Sequence, residues 1–413
     1  MKGTKRKGIT ALVGVLIVII IILLGAVAYV FAYPPSSSAK TVTSTQTVSA
    51  AQASAIGKLK VGLILPLTPS DDSWNYNAYN AMMKLKNEYN FTFSDSESIA
   101  SSTDAAVPAQ QWAGEGYNVV VFMGGQYQQE ANTFAGQYPN IMSVCVDCTV
   151  ANYSNVYRIW LDLSGGGFVL GAMAGMVSKT HSFGLVGGGD IPSIWQGHEG
   201  FIAGVMYTSP VTPTITNTFE AFAWADVSGA QTSATNDYTA GADVVFSSGD
   251  GIDVGVLGAA MAQPTTSQVW ATNVYTNLTA IEPADNRILL GSIVIDYAAP
   301  LNKALLDYVN NNWAWGYTKV DMASGLERVQ PGPDVPANIA AAGLALQSDI
   351  VEGSIVISFA STSGGSPYCF VNTGSAYAST CGDTTLTVPS GGGTPTGNMA
   401  AQFNYLPPVS SLP

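Results

Sequence analysis

The sequence predicts an α/β protein with two doubly wound lobes, an interlobe cleft and an N-terminal transmembrane helix. Three observations predict this: strand-length apolar runs alternate with helix-length segments over residues 58–358, they form two successive series, and one long apolar run precedes them. Strands that alternate with helices build βαβ units and hence mainly parallel sheets. Two open sheets in one chain leave a cleft, where ligands bind at the carboxyl ends of the strands.

The long apolar run covers residues 9–33 and follows a short basic segment, residues 1–8. At about 1.5 Å per residue such a run crosses the hydrocarbon core of a membrane. Basic residues stay on the cytoplasmic side, so we expect a single-pass protein of the cell membrane whose binding region is extracellular. Two alternatives remain open. One is a cleaved secretory signal, which usually has a shorter apolar region. The other is a signal similar to those of archaeal pilin-like surface proteins, cut after Gly8.

Residues 34–57 are rich in Ser, Thr and Ala and predict a flexible linker. The two-lobed region follows, with lobe 1 at about 58–160 plus later crossover segments and lobe 2 at about 161–285. Residues 359–413 form a Gly/Ser/Pro-rich extension to which we assign no function. Three Asn-x-Ser/Thr sequons, which are typical of an exported surface, begin at Asn90, Asn152 and Asn277.

The predicted strands of the first lobe are Val61–Leu67, Phe91–Ser94, Val119–Gly124 and Ile141–Val146. Those of the second lobe are Phe183–Val186, Ile215–Phe222, Val244–Ser247 and Val269–Val274. Helix-length segments separate most of them. Four later segments are consistent with either lobe: Ile288–Ile295, Ala298–Asn311, Pro336–Val351 and Ser354–Ile357.

The composition argues against several classes of function. The net charge is −13 with no basic stripe, so nucleic acid is not an expected partner. The glycine-rich fingerprints of dinucleotide and ATP sites are absent, and we expect no cofactor. With two histidines in the chain, no nucleophilic or zinc-dependent catalytic pattern emerges, and we expect no enzyme activity.

The four cysteines form two close pairs, Cys145 with Cys148 and Cys369 with Cys381. Outside the cell, such pairs indicate disulfides. The C-x-x-C spacing of the first pair also occurs in zinc sites and thiol–disulfide enzymes, although two histidines make a four-ligand zinc site the weaker interpretation.

Several short segments, in order, resemble the basic membrane protein (PnrA-like) family of ABC-importer binding proteins. They are Asp71-Asp72-Ser73-Trp74-Asn75 after the first strand, Tyr138-Pro139 leading to Val146-Asp147, Ser178-Lys179-Thr180, Gly197–Gly204 and Gly241-Ala242-Asp243-Val244. The resemblance covers about residues 60–357. It implies the type I periplasmic-binding-protein fold, a small-molecule ligand and ABC permease subunits as partners.

The resemblance and the residue chemistry suggest a set of ligand-binding side chains. Trp74 offers a flat face for a ring, and Asn75 supplies donors and an acceptor. Asp71 and Asp147 suit vicinal hydroxyl groups. The remaining candidates come from the second lobe: Phe222, Trp224 and Tyr275. Ordinary structural roles remain open: packing for Trp74, Phe222 and Trp224, a helix N-cap for Asn75, a solvated loop position for Asp71 and a turn position for Asp147.

Two departures from the family pattern leave the ligand open. Tyr275 replaces the aspartate that reads the base in the family, and Ile295 replaces a lysine. We therefore expect an extracellular solute-binding protein of an ABC importer that captures a nucleoside-like solute or a sugar in its cleft and presents it to the permease. A surface sensory or assembly protein with the same binding fold is the alternative.

Overall fold

The computed structural model describes residues 48–189, 191–219, 224–281, 286–355 and 357. Twelve strands lie in these residues: β1 (Lys60–Ile64), β2 (Thr92–Ser96), β3 (Val119–Met123), β4 (Met142–Val146), β5 (Val156–Leu161), β6 (Ser182–Gly187), β7 (Thr214–Phe219), β8 (Val244–Ser248), β9 (Trp270–Tyr275), β10 (Leu289–Ile295), β11 (Tyr317–Val320) and β12 (Glu327–Pro331).

Helices cover the faces of the sheets. In chain order they are α1 (Ala50–Ile56), α2 (Trp74–Tyr89), α3 (Ser102–Gly114), α4 (Gln128–Gln137), α5 (Ser164–Val177), α6 (Pro192–Thr208), α7 (Val227–Thr239), α8 (Asp250–Met261), the short α9 (Leu278–Ile281), α10 (Ala298–Val309) and α11 (Ala337–Val351). A 3₁₀ turn, Gly125–Tyr127, precedes α4.

Two six-stranded sheets form two lobes, which confirms the predicted architecture. The first has the order β11-β5-β4-β3-β1-β2 and is parallel throughout. The second has the order β12-β10-β9-β8-β6-β7, with only the edge strand β12 antiparallel to its neighbour. The central strands are buried along their length, as expected for parallel sheets covered on both faces.

Within the described residues, the chain crosses between the lobes three times: from β5 to α5, from β10 to α10, and from β11 to β12. The first and third crossings are tied by Lys319, whose Nζ lies 2.8 Å from Asp162 Oδ2 and 2.9 Å from Asp321 Oδ2. Glu327, at the end of the third crossing, is 1% exposed and accepts the Gly166 N–H at the start of α5. These contacts join the hinge segments to one another.

The helices α5 and α6 of the second lobe pack with almost no space between their backbones. A Cβ atom on Gly171 would lie 2.0 Å from the Phe201 carbonyl oxygen, and one on Gly204 would lie 2.0 Å from the Phe168 oxygen. Gly167 and Gly200 are blocked in the same way, by the Gly197 and Ser164 oxygens. The glycines therefore let the two helices pack at backbone distance.

The structure corrects several boundaries. Residues 50–56, assigned to the linker, form α1, which begins with a capping box of Ser49 and Gln52 and packs on α10 and α2. Five further elements were not predicted as such: α7, α9, β5, β11 and β12. Of the later segments, β10 and α11 belong to the second lobe and α10 to the first, while Ser354 and Ile355 form a bend.

The predicted transmembrane helix, the linker up to residue 47 and the C-terminal extension with Cys369 and Cys381 lie outside the described residues. Among the helices that are described, none has both the length and the apolar character needed to cross a membrane.

Candidate ligand-binding site

A cavity lies between the lobes, at the carboxyl ends of the strands. The space that water molecules can occupy in it is about 30 Å³, room for one or two waters, so the lobes must part to admit a solute. The first lobe contributes Pro66, Trp74, Gly124, Gly125, Gln126 and Asp147, and the second contributes Ile191, Trp224, Gly249, Asp250 and Tyr275. Four of the seven predicted ligand-binding residues, Trp74, Asp147, Trp224 and Tyr275, are thus brought together in the wall of one cavity.

Two glycines occupy matching places in the two lobes. Gly124 follows β3 with φ of 146°, and Gly249 follows β8 with φ of 143°. A side chain is strained in this backbone region, so glycine is required for the chain to turn there. The turns bring backbone atoms of both lobes to the cavity wall.

Trp74 opens helix α2 and is held by contacts on several sides. Its Nε1–H donates to the Met123 carbonyl oxygen at 3.2 Å, and the side chain is 6% exposed. Its ring packs edge-on against Tyr275 at 5.0 Å and against Tyr297 at 5.4 Å between centroids. Tyr275 adopts a positive φ of 78° at the end of β9. These contacts place three aromatic rings next to one another, two of them in the cavity wall.

Asp147 follows β4 in a left-handed conformation, with φ of 61°, between two cysteines that form a disulfide. Its Oδ2 accepts a hydrogen bond from Ser193 Oγ at 2.6 Å across the cleft, while its Oδ1 is buried without a hydrogen-bond partner among the described residues. Burial raises the pKa of the carboxyl to about 7, and the Ser193 hydrogen bond opposes that rise. Asp147 is therefore a buried acceptor in the cavity wall with one oxygen unused.

Asp250 is a second buried carboxyl in the cavity wall, and the sequence analysis did not single it out. It begins α8 on the second lobe and is 5% exposed. It accepts the Trp74 backbone N–H and lies 3.4 Å from Asn75 Nδ2, both on the first lobe. Burial, followed by the charges of Asp71 and Asp253, raises its pKa well above the ordinary value.

Asp253 lies one turn further along α8 and is 1% exposed. Its Oδ2 accepts from the Val274 N–H at 3.2 Å and from Ser73 Oγ at 3.4 Å. Burial is the main reason that its pKa is well above the ordinary value. The only sequence signal for Asp250 and Asp253 is a pair of acids three residues apart in an otherwise apolar, glycine-rich segment directly after a strand.

Asp71 and Asn75 support the site and do not line the cavity. The Asp71 carboxylate accepts the N–H groups of Ser73, Asn75 and Tyr76 at 2.8–3.1 Å, and also Asn75 Nδ2 at 2.6 Å. It therefore caps the N-terminus of α2. Asn75 is fully buried, and its Oδ1 accepts the Leu67 N–H at 3.2 Å. The sequence predicts that both side chains contact the ligand. Neither of them is among the residues that line the cavity.

Trp224 explains part of the glycine run after β6. A Cβ atom on Gly188 would lie 2.6 Å from the Trp224 ring, so the glycine makes room for the indole beside the cavity. Trp224 is half-buried. The other second-lobe candidate, Phe222, lies outside the described residues.

The three sequons differ in accessibility. Asn90 and Asn152 are exposed, whereas Asn277 is half-buried beside the cleft and its Oδ1 is buried without a partner among the described residues. The first two are accessible to a glycosylating enzyme. Asn277 is much less so.

The lobes touch directly around the cavity. Thr276 Oγ1 donates to the backbone carbonyl oxygen of Asp72 at 2.6 Å. Asn77 Nδ2 donates to the backbone carbonyl oxygens of Tyr275 at 2.7 Å and Ile295 at 2.9 Å. This is a closed arrangement, in which a bound solute would be enclosed by both lobes. In the part of the chain that the structure describes, no cluster of three His, Cys, Asp or Glu side chains is suited to a metal ion.

Several solved structures have folds similar to this chain. A solute-binding protein of an ABC transporter system from Conexibacter woesei has a TM-score of 0.58 at 20% identity, covering 72% of this chain and 98% of that chain. A corresponding protein from Aeropyrum pernix has a TM-score of 0.60 at 16% identity, covering 72% and 93%. At these identities the similarity shows the fold.

The curated relatives have a higher sequence identity to this chain than these solved structures, over a shorter aligned length. The transcriptional activator protein med of Bacillus subtilis is 28% identical over 203 residues, which are 49% of this chain and 62% of that protein. The ABC transporter nucleoside-binding protein BmpA of Lactococcus lactis is 24% identical over 215 residues, which are 50% of this chain and 60% of that protein. The chain thus spans less than two thirds of the length of each.

A family model covers most of the two-lobed region. The model for PnrA-like ABC transporter substrate-binding proteins matches residues 58–324, which include every cavity-lining residue and the first two crossings between the lobes. Together with the two-lobed fold, this match shows that the chain belongs to the PnrA-like family of ABC transporter substrate-binding proteins.

Proposed function

We propose that this protein captures a small polar solute outside the cell and presents it to the permease of an ABC importer, without catalysing a reaction. The observation that carries the proposal is the cavity between the lobes, with aromatic rings and buried carboxyl groups in its wall. Closure of two lobes on a ligand is a population shift driven by contacts that both lobes make. The closed surface then differs from the open one, and a permease can recognise it.

The capture step can be tested with the full chain, purified in mild detergent. Nucleosides, sugars and amino acids are added, and the thermal midpoint is recorded. A ligand at 100 times its Kd stabilises by about 2.7 kcal/mol, which corresponds to a rise of several degrees. In Trp74→Ala we expect at least about tenfold weaker binding, because the ring wall is lost.

Trp315→Ala is the matched control, since Trp315 is 58% exposed and outside the cavity wall. Its affinity should equal that of the wild type. A chain that responds to none of the solutes, or that loses binding equally in both variants, would contradict capture in this cavity.

We also propose that residues 9–33 anchor the protein in the cell membrane with the binding lobes outside. The support is the apolar run after a basic segment. Protease added to intact cells should degrade the lobes, and a chain without residues 1–33 should leave the membrane fraction. Protection of the lobes until the cells are lysed would contradict this orientation.

A sensory role is a second candidate, favoured by the relative from Bacillus subtilis that is named as a transcriptional activator. The same closure would then signal to a membrane partner without transport. Uptake of the bound solute separates the two: deletion of the protein should abolish uptake in an importer, and should leave uptake unchanged in a sensor.

A further inference from the structure

The charged groups in the cavity wall are all acidic. Among the described lining residues, only Asp147 and Asp250 carry ionisable carboxyls, and no Lys, Arg or His is present. No Lys, Arg or His occurs in the short internal segments that lie outside the described residues, which are 190, 220–223, 282–285 and 356. A ligand with a carboxylate or phosphate would therefore meet negative charge without compensation.

The two carboxyls face the same cavity from opposite lobes. Asp147 belongs to the first lobe and is 6% exposed, and its Oδ1 has no partner among the described residues. Asp250 belongs to the second lobe and is 5% exposed. A buried hydrogen-bond acceptor without a partner costs free energy. A ligand that brings a donor to this oxygen would remove that cost. One positive charge between the two acids would compensate both and draw the lobes together.

The aromatic rings of the wall suit the same ligand. Trp74, Trp224 and Tyr275 line the cavity, and ring faces attract cations most strongly when water is excluded. A cation that carries a ring of its own can also stack on the indole.

We propose that the cavity selects a ring-bearing solute with a positive charge, and that Asp147 and Asp250 are the residues that determine this selectivity. The inference rests on the proposed function and narrows its ligand class. Asp147 has an oxygen without a partner among the described residues, and the contact of Asp250 with Asn75 Nδ2 is long, at 3.4 Å.

The number of protons released when a ligand binds is a second measurable quantity, besides affinity. Burial raises the pKa of Asp147 to about 7 and that of Asp250 well above its ordinary value, so both carboxyls keep their protons to a higher pH than exposed aspartates do. A cation favours the ionised form of each acid and displaces these protons. Binding of a cation should therefore release protons and tighten as pH rises, whereas binding of a neutral solute should do neither.

The test uses matched pairs of probes that differ in charge. Adenosine is compared with 1-methyladenosine, which is cationic at neutral pH, and glucose is compared with glucosamine. Titration calorimetry on the full chain in detergent, in two buffers of different ionisation enthalpy, gives the affinity and the number of protons released. We expect at least one cation to bind about tenfold or more tightly than its neutral partner. The pair that responds shows whether the charge lies on the base or on the sugar.

Asp250→Asn keeps the shape of the side chain and removes its charge. The cation should lose about tenfold or more in affinity while the neutral partner changes by less than about threefold. Asp147→Asn should show the same pattern, and Asp334→Asn, an exposed acid outside the cavity wall, should show neither change. Thermal midpoints close to wild type confirm that the variants are folded.

The outcomes separate the two proposals. Tighter binding of a neutral probe, or a preference for the cation that survives both substitutions, overturns the charge selection and leaves solute capture standing. Absence of binding by any nucleoside, sugar or amine overturns both.

Discussion

Asp71 shows how a residue in a motif can support a site without touching the ligand. The sequence analysis placed it among the ligand-binding residues, yet its two oxygens accept three backbone N–H groups and the Asn75 amide. Its negative charge also lies at the positive end of α2. Asp71 therefore fixes the first turn of α2, and with it the indole of Trp74.

We expect Asp71→Ala to lower the free energy of unfolding by about 1–2 kcal/mol, the usual range for loss of a helix N-cap. Equilibrium unfolding in denaturant, followed by circular dichroism, measures the change. Asp334→Ala, at an exposed position, should stay within about 0.5 kcal/mol of wild type. If Asp71→Ala unfolds like the wild type but no longer binds solute, Asp71 is a ligand contact and the capping role is wrong.

The residues of the cavity wall differ in whether a local sequence pattern can reveal them. Asp147 and Tyr275 lie at or just beyond the end of a strand, and Trp74 opens the helix that follows β1; such places in a parallel sheet can be found from sequence periodicity. Asp250 lies in a similar place, but an acid at the start of a helix has an ordinary explanation in the helix dipole. Its role depends on the approach of α8 to α2 of the other lobe, which no local pattern reports.

At the scale of elements, the α5–α6 pair depends on glycines rather than on large apolar side chains. Gly167 and Gly171 face Gly200 and Gly204 with backbone oxygens at distances that no Cβ can tolerate. A substitution on this face must push the helices apart. Because α5 follows the first crossing between the lobes, that displacement would also reach the hinge.

Gly171→Ala should therefore be destabilising, by about 1–3 kcal/mol or more, as expected for an overpacked core. Gly258→Ala is the matched control, because its new Cβ would meet only the Gln231 side chain, at 3.6 Å and beyond. Alanine is the better helix former by about 0.5–1 kcal/mol, so this control should raise stability. Thermal melts of both variants measure the difference. A Gly171→Ala protein as stable as Gly258→Ala would show that the helices can separate at little cost.

Four of the elements that were not predicted from the sequence share a physical cause. The strands β11 and β12 are short edge strands with charged or polar residues, and their pairing depends on partners far away in the chain. The helix α7 is mostly polar and has no strong apolar period. The helix α1 buries only Ile56 and gains its place by packing on α10 and α2. Tertiary contacts, rather than local preference, fix all four.

At the scale of the whole molecule, the buried acids of the described residues outnumber the described cations that could compensate them. Glu199 and Asp237, like Asp147, have pKa values raised to about 7, in each case mainly by burial. Asp250, Asp253 and Glu327 have pKa values raised well above the ordinary range, again mainly by burial. The described ion pairs, by contrast, involve Lys303 and Lys319 on the first lobe. The folded chain therefore holds more protons than the unfolded chain in mild acid.

This excess of bound protons predicts how stability depends on pH. Below about pH 4 these carboxyls are protonated in both states and cost nothing. Between about pH 4 and pH 7 the unfolded chain loses its protons first, so stability falls as pH rises, by about 1.4 kcal/mol per pH unit for each proton difference. Above pH 7 the contributions of Asp147, Glu199 and Asp237 level off. We expect the thermal midpoint to be highest in mild acid and several degrees lower at pH 8.

Glu199→Gln isolates one contribution, because Glu199 is 1% exposed and burial is the cause of its raised pKa. The slope of midpoint against pH between 5 and 7 should become shallower in this variant, since one titrating group is gone, while Asp334→Asn at the surface should keep the wild-type slope. Scanning calorimetry in a series of buffers at constant ionic strength measures both. A midpoint that rises steadily from pH 4 to pH 8 would mean that the buried acids are ionised at little cost, and that cations outside the described residues compensate them.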